Sequence, residues 1–210
     1  MEGFSKGRKR IAAYILENCD KAAFMTAGRL GKLVGVSEST VVRFASELER
    51  REALLKEMFA ECGDGCYIEP PFHANWGGRH VHFGRMVYAN FNLTAVDDTH
   101  IYVGDYAQFG PNVVLATAGH PLCPELREKG YQFNAPIHIG RNCWLGSGVV
   151  VVPGVTIGDN TVIGAGSVVT RDIPPTVLAV GNPCRVVREL DGRDRKYYFR
   201  DREIDESLWE

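Results

Sequence analysis

The chain has 210 residues, 45% hydrophobic, 24% charged and 10% aromatic, the makeup of a globular protein with room for a small domain joined to a medium one. Lys and Arg number 24 against 26 Asp and Glu, and the net charge of -2 excludes a protein that recruits nucleic acid or an anionic membrane by bulk charge. No apolar run approaches the length needed to span a bilayer, and no signal core follows the basic stretch from Met1 to Arg10, so a cytoplasmic protein is expected. The cysteines (Cys19, Cys62, Cys66, Cys123, Cys143 and Cys184) show no paired metal-site spacing; they read as thiols in a reducing compartment, and no metal is expected.

Residues 1–48 carry apolar side chains at helical spacing and almost no strand signals. Ile11, Tyr14, Ile15 and Ala22 fit one helix face, and Leu30, Leu33 and Val34 fit another. Thr26 is placed to cap the second helix, Gly35 to close it and Ser37 to cap the next. Val36 to Phe44 has the spacing of a helix packed on its partner, offering Ser37, Glu38, Ser39, Thr40 and Arg43 outward. Nine basic residues stand against six acidic ones over residues 1–50, a balance of +3 that permits contact with DNA without demanding it. Residues 49–62 read as a connecting helix.

From Gly63 the texture changes to glycine, valine, isoleucine, asparagine and proline. A six-residue period runs through Ile139, Leu145, Val151, Ile157, Ile163 and Val169, with Gly140, Gly146, Gly158 and Gly164 in the next position. The fifth position of each step is small or β-branched: Cys143, Val149, Val155, Thr161, Ser167, Ile173. Val103, Phe109 and Leu115 repeat the pattern earlier, as does Phe83 with Gly84. Three such steps make one triangular coil, the aliphatic residue pointing inward and the following glycine turning the corner at unusual backbone angles. A coil cannot bury its inner face alone, so coils stack into a parallel β-solenoid over residues 63–190, followed by a tail over 191–210. The period breaks between Gly119 and Pro136, where a polar loop begins on His120; a loop of that size leaving a regular stack is usually functional.

From about Arg50 onward the chain resembles the hexapeptide-repeat sugar O-acetyltransferases, most closely the galactoside acetyltransferases. The resemblance rests on Arg51 to Phe59 (REALLKEMF), Glu69 to Phe72 (EPPF), Tyr88 to Thr94 (YANFNLT), Val96 to Asp98 (VDD), Thr117 to Pro121 (TAGHP), Glu125 to Arg127 (ELR), Pro153 to Asn160 (PGVTIGDN), Ile163 to Thr170 (IGAGSVVT) and Gly181 to Arg188 (GNPCRVVR). It implies a left-handed parallel β-helix, a homotrimer, and transfer of acetyl from acetyl-CoA to a hydroxyl of a galactoside, maltose or glucose type of sugar. It makes His120 the general base, a task that an imidazole suits near neutral pH. Acceptor contacts fall on Asn90 and Asp98, and acetyl-CoA contacts on Trp144, Ser147, Ala165, Thr170, Arg171, Arg185 and Arg188. The family usually carries Lys where this chain has Arg171. One extra residue lies near Asn75 to Gly78, so either Asn75 or Trp76 takes the remaining sugar-contacting place. With no serine or cysteine in a nucleophile elbow, direct transfer is expected over an acyl-enzyme.

The helical segment that normally opens this family is missing. In its place Arg10 to Leu16 (RIAAYIL), Ala22 to Ala27 (AAFMTA) and Val34 to Leu48 (VGVSESTVVRFASEL) resemble the helix-turn-helix of RpiR-type sugar-responsive repressors. That resemblance implies DNA contact through residues 26–48, although three heads on a trimer do not match a two-fold operator simply. Three readings stand: a sugar O-acetyltransferase with a helical head, a sugar- or acetyl-CoA-responsive DNA-binding regulator, and an acetyltransferase of an antibiotic or amino acid.

Overall fold

A computed structural model of the chain describes residues 5–18, 22 and 25–209. Cys19, and Ala23 and Phe24 of the matching string, lie outside the described residues. The chain divides into two compact units, residues 1–55 and 56–210.

In the first unit a helix spans Lys6–Glu17 and ends at Asn18, whose side-chain amide donates to Tyr14 O at 3.2 Å and so satisfies one of the last free carbonyls. Ala22, expected on that helix's face, therefore lies beyond its end. The helix Ala27–Val34 starts as the sequence indicates, with Arg29 N–H donating to Thr26 Oγ1 at 3.3 Å, and closes on Gly35 in the left-handed region at φ 67. Leu30 is 6% exposed, but Leu33, expected beside it, is 52% exposed. Ser37 Oγ accepts from Thr40 N–H at 3.3 Å and caps the next helix. That helix runs unbroken as Glu38–Met58, so the segments expected as an outward-facing helix and a connector are one element. Ile11, Leu30, Val41 and Phe44 form the core, with Tyr14, Ile15, Met25, Val34 and Val36 packed on it.

The second unit is a parallel β-helix with three faces. Strands at 61–62, 81–83, 101–103, 137–139 and 156–157 stack as the first face. Those at 67–68, 88–89, 108–109, 144–145, 162–163 and 177–180 form the second, and those at 73–74, 94–96, 114–116, 150–151 and 168–169 the third. Ile139, Leu145, Val151, Ile157, Ile163 and Val169 are all buried, as are the fifth-position residues from Cys143 to Ile173. Placing this column inside the prism is the main apolar term holding the stack together.

The in-phase glycines serve a different purpose from the one expected. Positive φ falls two residues later, at Asn142, Asn160, Gly148 and Gly166. Gly146 is required by close approach instead: a Cβ there would lie 2.6 Å from Ala165 N, backbone of the next coil. At the left-handed corners asparagine side chains add a ladder, with Asn142 Nδ2 donating to Asn160 Oδ1 at 3.1 Å.

The interruption folds back as an antiparallel hairpin, Ala118–Gly119 against Phe133–Asn134, capped by a short helix, Pro124–Glu128. After the last coil the strand Arg185–Glu189 returns antiparallel along the second face, and residues 192–209 hold a helical turn, a small hairpin and a 3-10 turn. Among the described residues no helix is long and apolar enough to cross a membrane.

Candidate active site

The edge where the third face turns into the first gathers several of the singled-out residues. Asp97, fully buried, accepts on its carboxylate from Trp76 N–H at 2.8 Å and Gly78 N–H at 3.1 Å, while its carbonyl accepts from His80 Nδ1 at 2.6 Å. Its role is to tie one corner to the next. Asp98, the next residue, points to the other side. Its Oδ2 accepts from Asn75 Nδ2 at 2.8 Å and its Oδ1 from Gln132 Nε2 at 3.3 Å. Of the pair left open by the extra residue, Asn75 therefore meets Asp98 through its side chain, and Trp76 meets Asp97 through its backbone.

His120 follows the first strand of the hairpin. The Phe133 ring lies over Gly119 before it, where a Cβ would come within 2.5 Å of Cζ and push the ring aside. His120 Nδ1 lies 2.9 Å from Tyr131 O. A carbonyl only accepts, so Nδ1 carries the hydrogen, and in the neutral ring the lone pair is on Nε2. The arrangement fixes the orientation of the imidazole. The loop is braced by Arg127, whose Nη1 donates to Pro121 O at 2.8 Å and Leu122 O at 2.6 Å. Thr170 and Arg171 leave the third face at this same edge, coils further along.

A second group lies on the edge between the second and third faces. Asn90, Gly110, Gly146 and Gly164 follow second-face strands of successive coils, and Ser147 and Ala165 come directly after the last two. A Cβ on Gly110 would lie 2.6 Å from Ser147 N, so a bare glycine column underlies the backbone of Ser147 and Ala165. Trp144 stands on the outer side of the second face, 55% exposed. Arg185 and Arg188 lie on the returning strand, where Arg188 grips Asp194 through both nitrogens at 2.7 and 2.6 Å. Within one chain, Asn90, Trp144, Ser147 and Ala165 thus share one edge, and Asn75, Asp98 and His120 another.

Burial pushes the Cys143 thiol up to about 11 and raises Cys184 as well, while Cys123 donates to Glu125 Oε2 at 2.9 Å. Among the described residues no group of three or more side chains is arranged to hold a metal ion. The histidines His82, His100 and His138 stack with Tyr102 on the outer side of the first face. Gln132 escaped notice in the sequence because its partner Asp98 lies 34 residues earlier and only the closed hairpin brings them together.

Comparison with known proteins fits this geometry. The family described as bacterial transferase hexapeptide (six repeats) matches residues 136–171, and the helix-turn-helix domain of the rpiR family matches residues 1–51. The chain is 55% identical over 157 residues to the galactoside O-acetyltransferase of Lactococcus lactis, covering 75% of this chain and 76% of that one. It is 54% identical over 163 residues to the Escherichia coli galactoside O-acetyltransferase, covering 78% and 80%. A solved galactoside acetyltransferase in complex with coenzyme A superposes with a TM-score of 0.74 at 54% identity, over 76% of this chain and 80% of that one.

Proposed function

This chain belongs to the galactoside O-acetyltransferase family of hexapeptide transferases, and on that premise we propose that it transfers acetyl from acetyl-CoA directly to a sugar hydroxyl, with His120 as general base. The observation that carries the reading is the hydrogen bond from His120 Nδ1 to Tyr131 O, which in the neutral ring leaves Nε2 to take a proton, on the same edge of the solenoid as the Asn75–Asp98 pair. Asp98 and Asn75 hold the acceptor. His120 Nε2 takes the hydroxyl proton as that oxygen bonds to the thioester carbonyl carbon, and returns it to the sulfur as the carbon–sulfur bond breaks. The products are the acetyl ester and the free thiol of coenzyme A. Positioned proton transfer of this kind is worth about a hundred- to ten-thousandfold in rate.

Acetyl-CoA supplies the activated acyl group, and the second edge fits it. The exposed Trp144 ring suits an extended pantetheine arm, the exposed Ser147 and Ala165 carry only small side chains beside it, and the Ser147 N–H is the donor for the developing oxyanion. Thr170, Arg171, Arg185 and Arg188 supply hydroxyl and cationic contacts for its phosphates. Because Asn90, Ser147 and Ala165 occupy one edge and His120 the other, a complete site joins edges of two chains, which supports a homotrimer with a site at each junction.

The test is release of coenzyme A thiol from acetyl-CoA over a panel of galactosides, maltose, glucose, aminoglycosides and serine. Transfer to sugars, lost in His120→Ala, is the expected result. No transfer to any sugar overturns the reading, and preference for an aminoglycoside or serine changes the acceptor class.

A second reading is favoured by the match of residues 1–51 to a repressor helix-turn-helix. Ser37, Glu38, Ser39 and Arg43 are exposed on the described unit and face outward as a DNA-reading helix does. Salt-dependent, sequence-selective binding of a genomic fragment, lost in Arg43→Glu, would support a regulator; weak binding indifferent to sequence would exclude it.

A further inference from the structure

The Asp98 carboxylate dictates which way its neighbours turn. Ionised, it only accepts, so Asn75 and Gln132 must both present amide nitrogen to it, at 2.8 and 3.3 Å. The second hydrogen of Gln132 Nε2 goes to Asn134 Oδ1 at 2.8 Å. Both donors of this amide are therefore committed to the protein, and Oε1, turned away from the Asp98 carboxylate, is left to accept. Asn75 Oδ1 is directed by the same constraint.

The hairpin joins the segment of Gln132 to that of the proposed base. Ala118 pairs with Asn134 and Gly119 with Phe133, and the register continued by one residue sets His120 opposite Gln132. Directly opposed residues of an antiparallel pair project to the same side, with Cβ atoms about 5 Å apart. The residue before Gln132, Tyr131, supplies the carbonyl that orients His120. Gln132 thus bonds the acceptor-holding carboxylate from the hairpin segment that pairs with the strand leading to the imidazole, and it is exposed to solvent.

We infer that Gln132 determines acceptor specificity: its Oε1 accepts a hydrogen bond from a second hydroxyl of the acceptor, one that is not acetylated. This rests on the transferase reading above and narrows its substrate class. A wall made of Asp98 and the oxygens of Asn75 and Gln132 recognises hydrogen-bond donors, so it selects a polyol or sugar with a hydroxyl neighbouring the reacting one. A simple alcohol leaves Oε1 unpaired, which is unfavourable once water is excluded.

The test is steady-state kinetics of the full chain carrying Gln132→Met, which keeps length and removes the amide, and Gln132→Asn, which keeps the amide and withdraws it. The sugar acetylated best by the unaltered chain is used along with its monodeoxy analogues. The KM for the sugar rises about tenfold in Gln132→Met, while kcat and the KM for acetyl-CoA stay within about twofold. One deoxy sugar shows the same roughly tenfold loss with the unaltered chain and no further loss with the variant. An unchanged sugar KM in both variants, or an equal additional loss on every deoxy sugar, overturns the assignment while sugar acetylation by the unaltered chain leaves the transferase reading standing. An unaltered chain that acetylates no hydroxylated acceptor overturns both.

Discussion

In the helical unit the four core residues Ile11, Leu30, Val41 and Phe44 come from three helices, and no spacing rule joins one helix to the next. In the solenoid Ile139, Leu145, Val151, Ile157, Ile163 and Val169 recur every six residues, and every one is buried. The difference is one of how each core is specified. A helical core needs faces of separate helices to meet, whereas each solenoid coil repeats the same inward choice against an identical neighbour. A stack can therefore be interrupted once, at residues 120–135, and resume in register: Ile137 to Ile139 pair with Ile101 to Val103 across the gap. The proposed base sits on that interruption.

The comparison breaks most visibly at the glycine column. Gly146→Val places a side chain against backbone that cannot retreat, and is expected to cost the solenoid about 4 kcal/mol while abolishing acetyl transfer. Thermal unfolding of the variant checks this, and an unshifted melting temperature would mean the coils are looser than the structure shows. Leu30→Ala removes about 3 kcal/mol from the helical unit by opening a cavity. Transferase kcat/KM should stay unchanged, and a parallel loss of activity would show the two units to be one cooperative body. Ser37→Ala removes a single helix cap, with an expected loss of about 1 kcal/mol in the same unfolding measurement.

The smallest effect lies at the end of the second face. The Arg188 guanidinium holds the Asp194 carboxyl down to about 2. A carboxyl lowered in the folded chain contributes stability above its ordinary value near 4, and that contribution is lost as pH falls from there towards 2. Asp194→Asn should flatten this part of the stability profile and change nothing at neutral pH beyond the loss of an exposed pair.

The sequence shows its architecture wherever a requirement repeats at short range. Inward positions do, and so do Thr26, Gly35 and Ser37, whose partners lie within five residues. Requirements set at long range leave no such local mark. Gly146 looked like a backbone-angle glycine because Ala165, which it must clear, belongs to the next coil. Leu33 shared a plausible face with Leu30, yet packing turned only Leu30 inward. The contact of Asn75 with Asp98 spans 23 residues, beyond the reach of local spacing. Nor does linear order reveal that Asn90 and His120 stand on different edges, since that depends on which face each strand joins.

That separation is tested most directly by mixing inactive chains. His120→Ala spoils one edge and Asn90→Ala the other; the two are unfolded together in equal amounts and refolded. If each site joins edges of two chains, about a quarter of the junctions in random trimers carry both intact edges, and about a quarter of the original activity returns. A mixture as inactive as either variant alone would place the whole site within one chain and contradict the account.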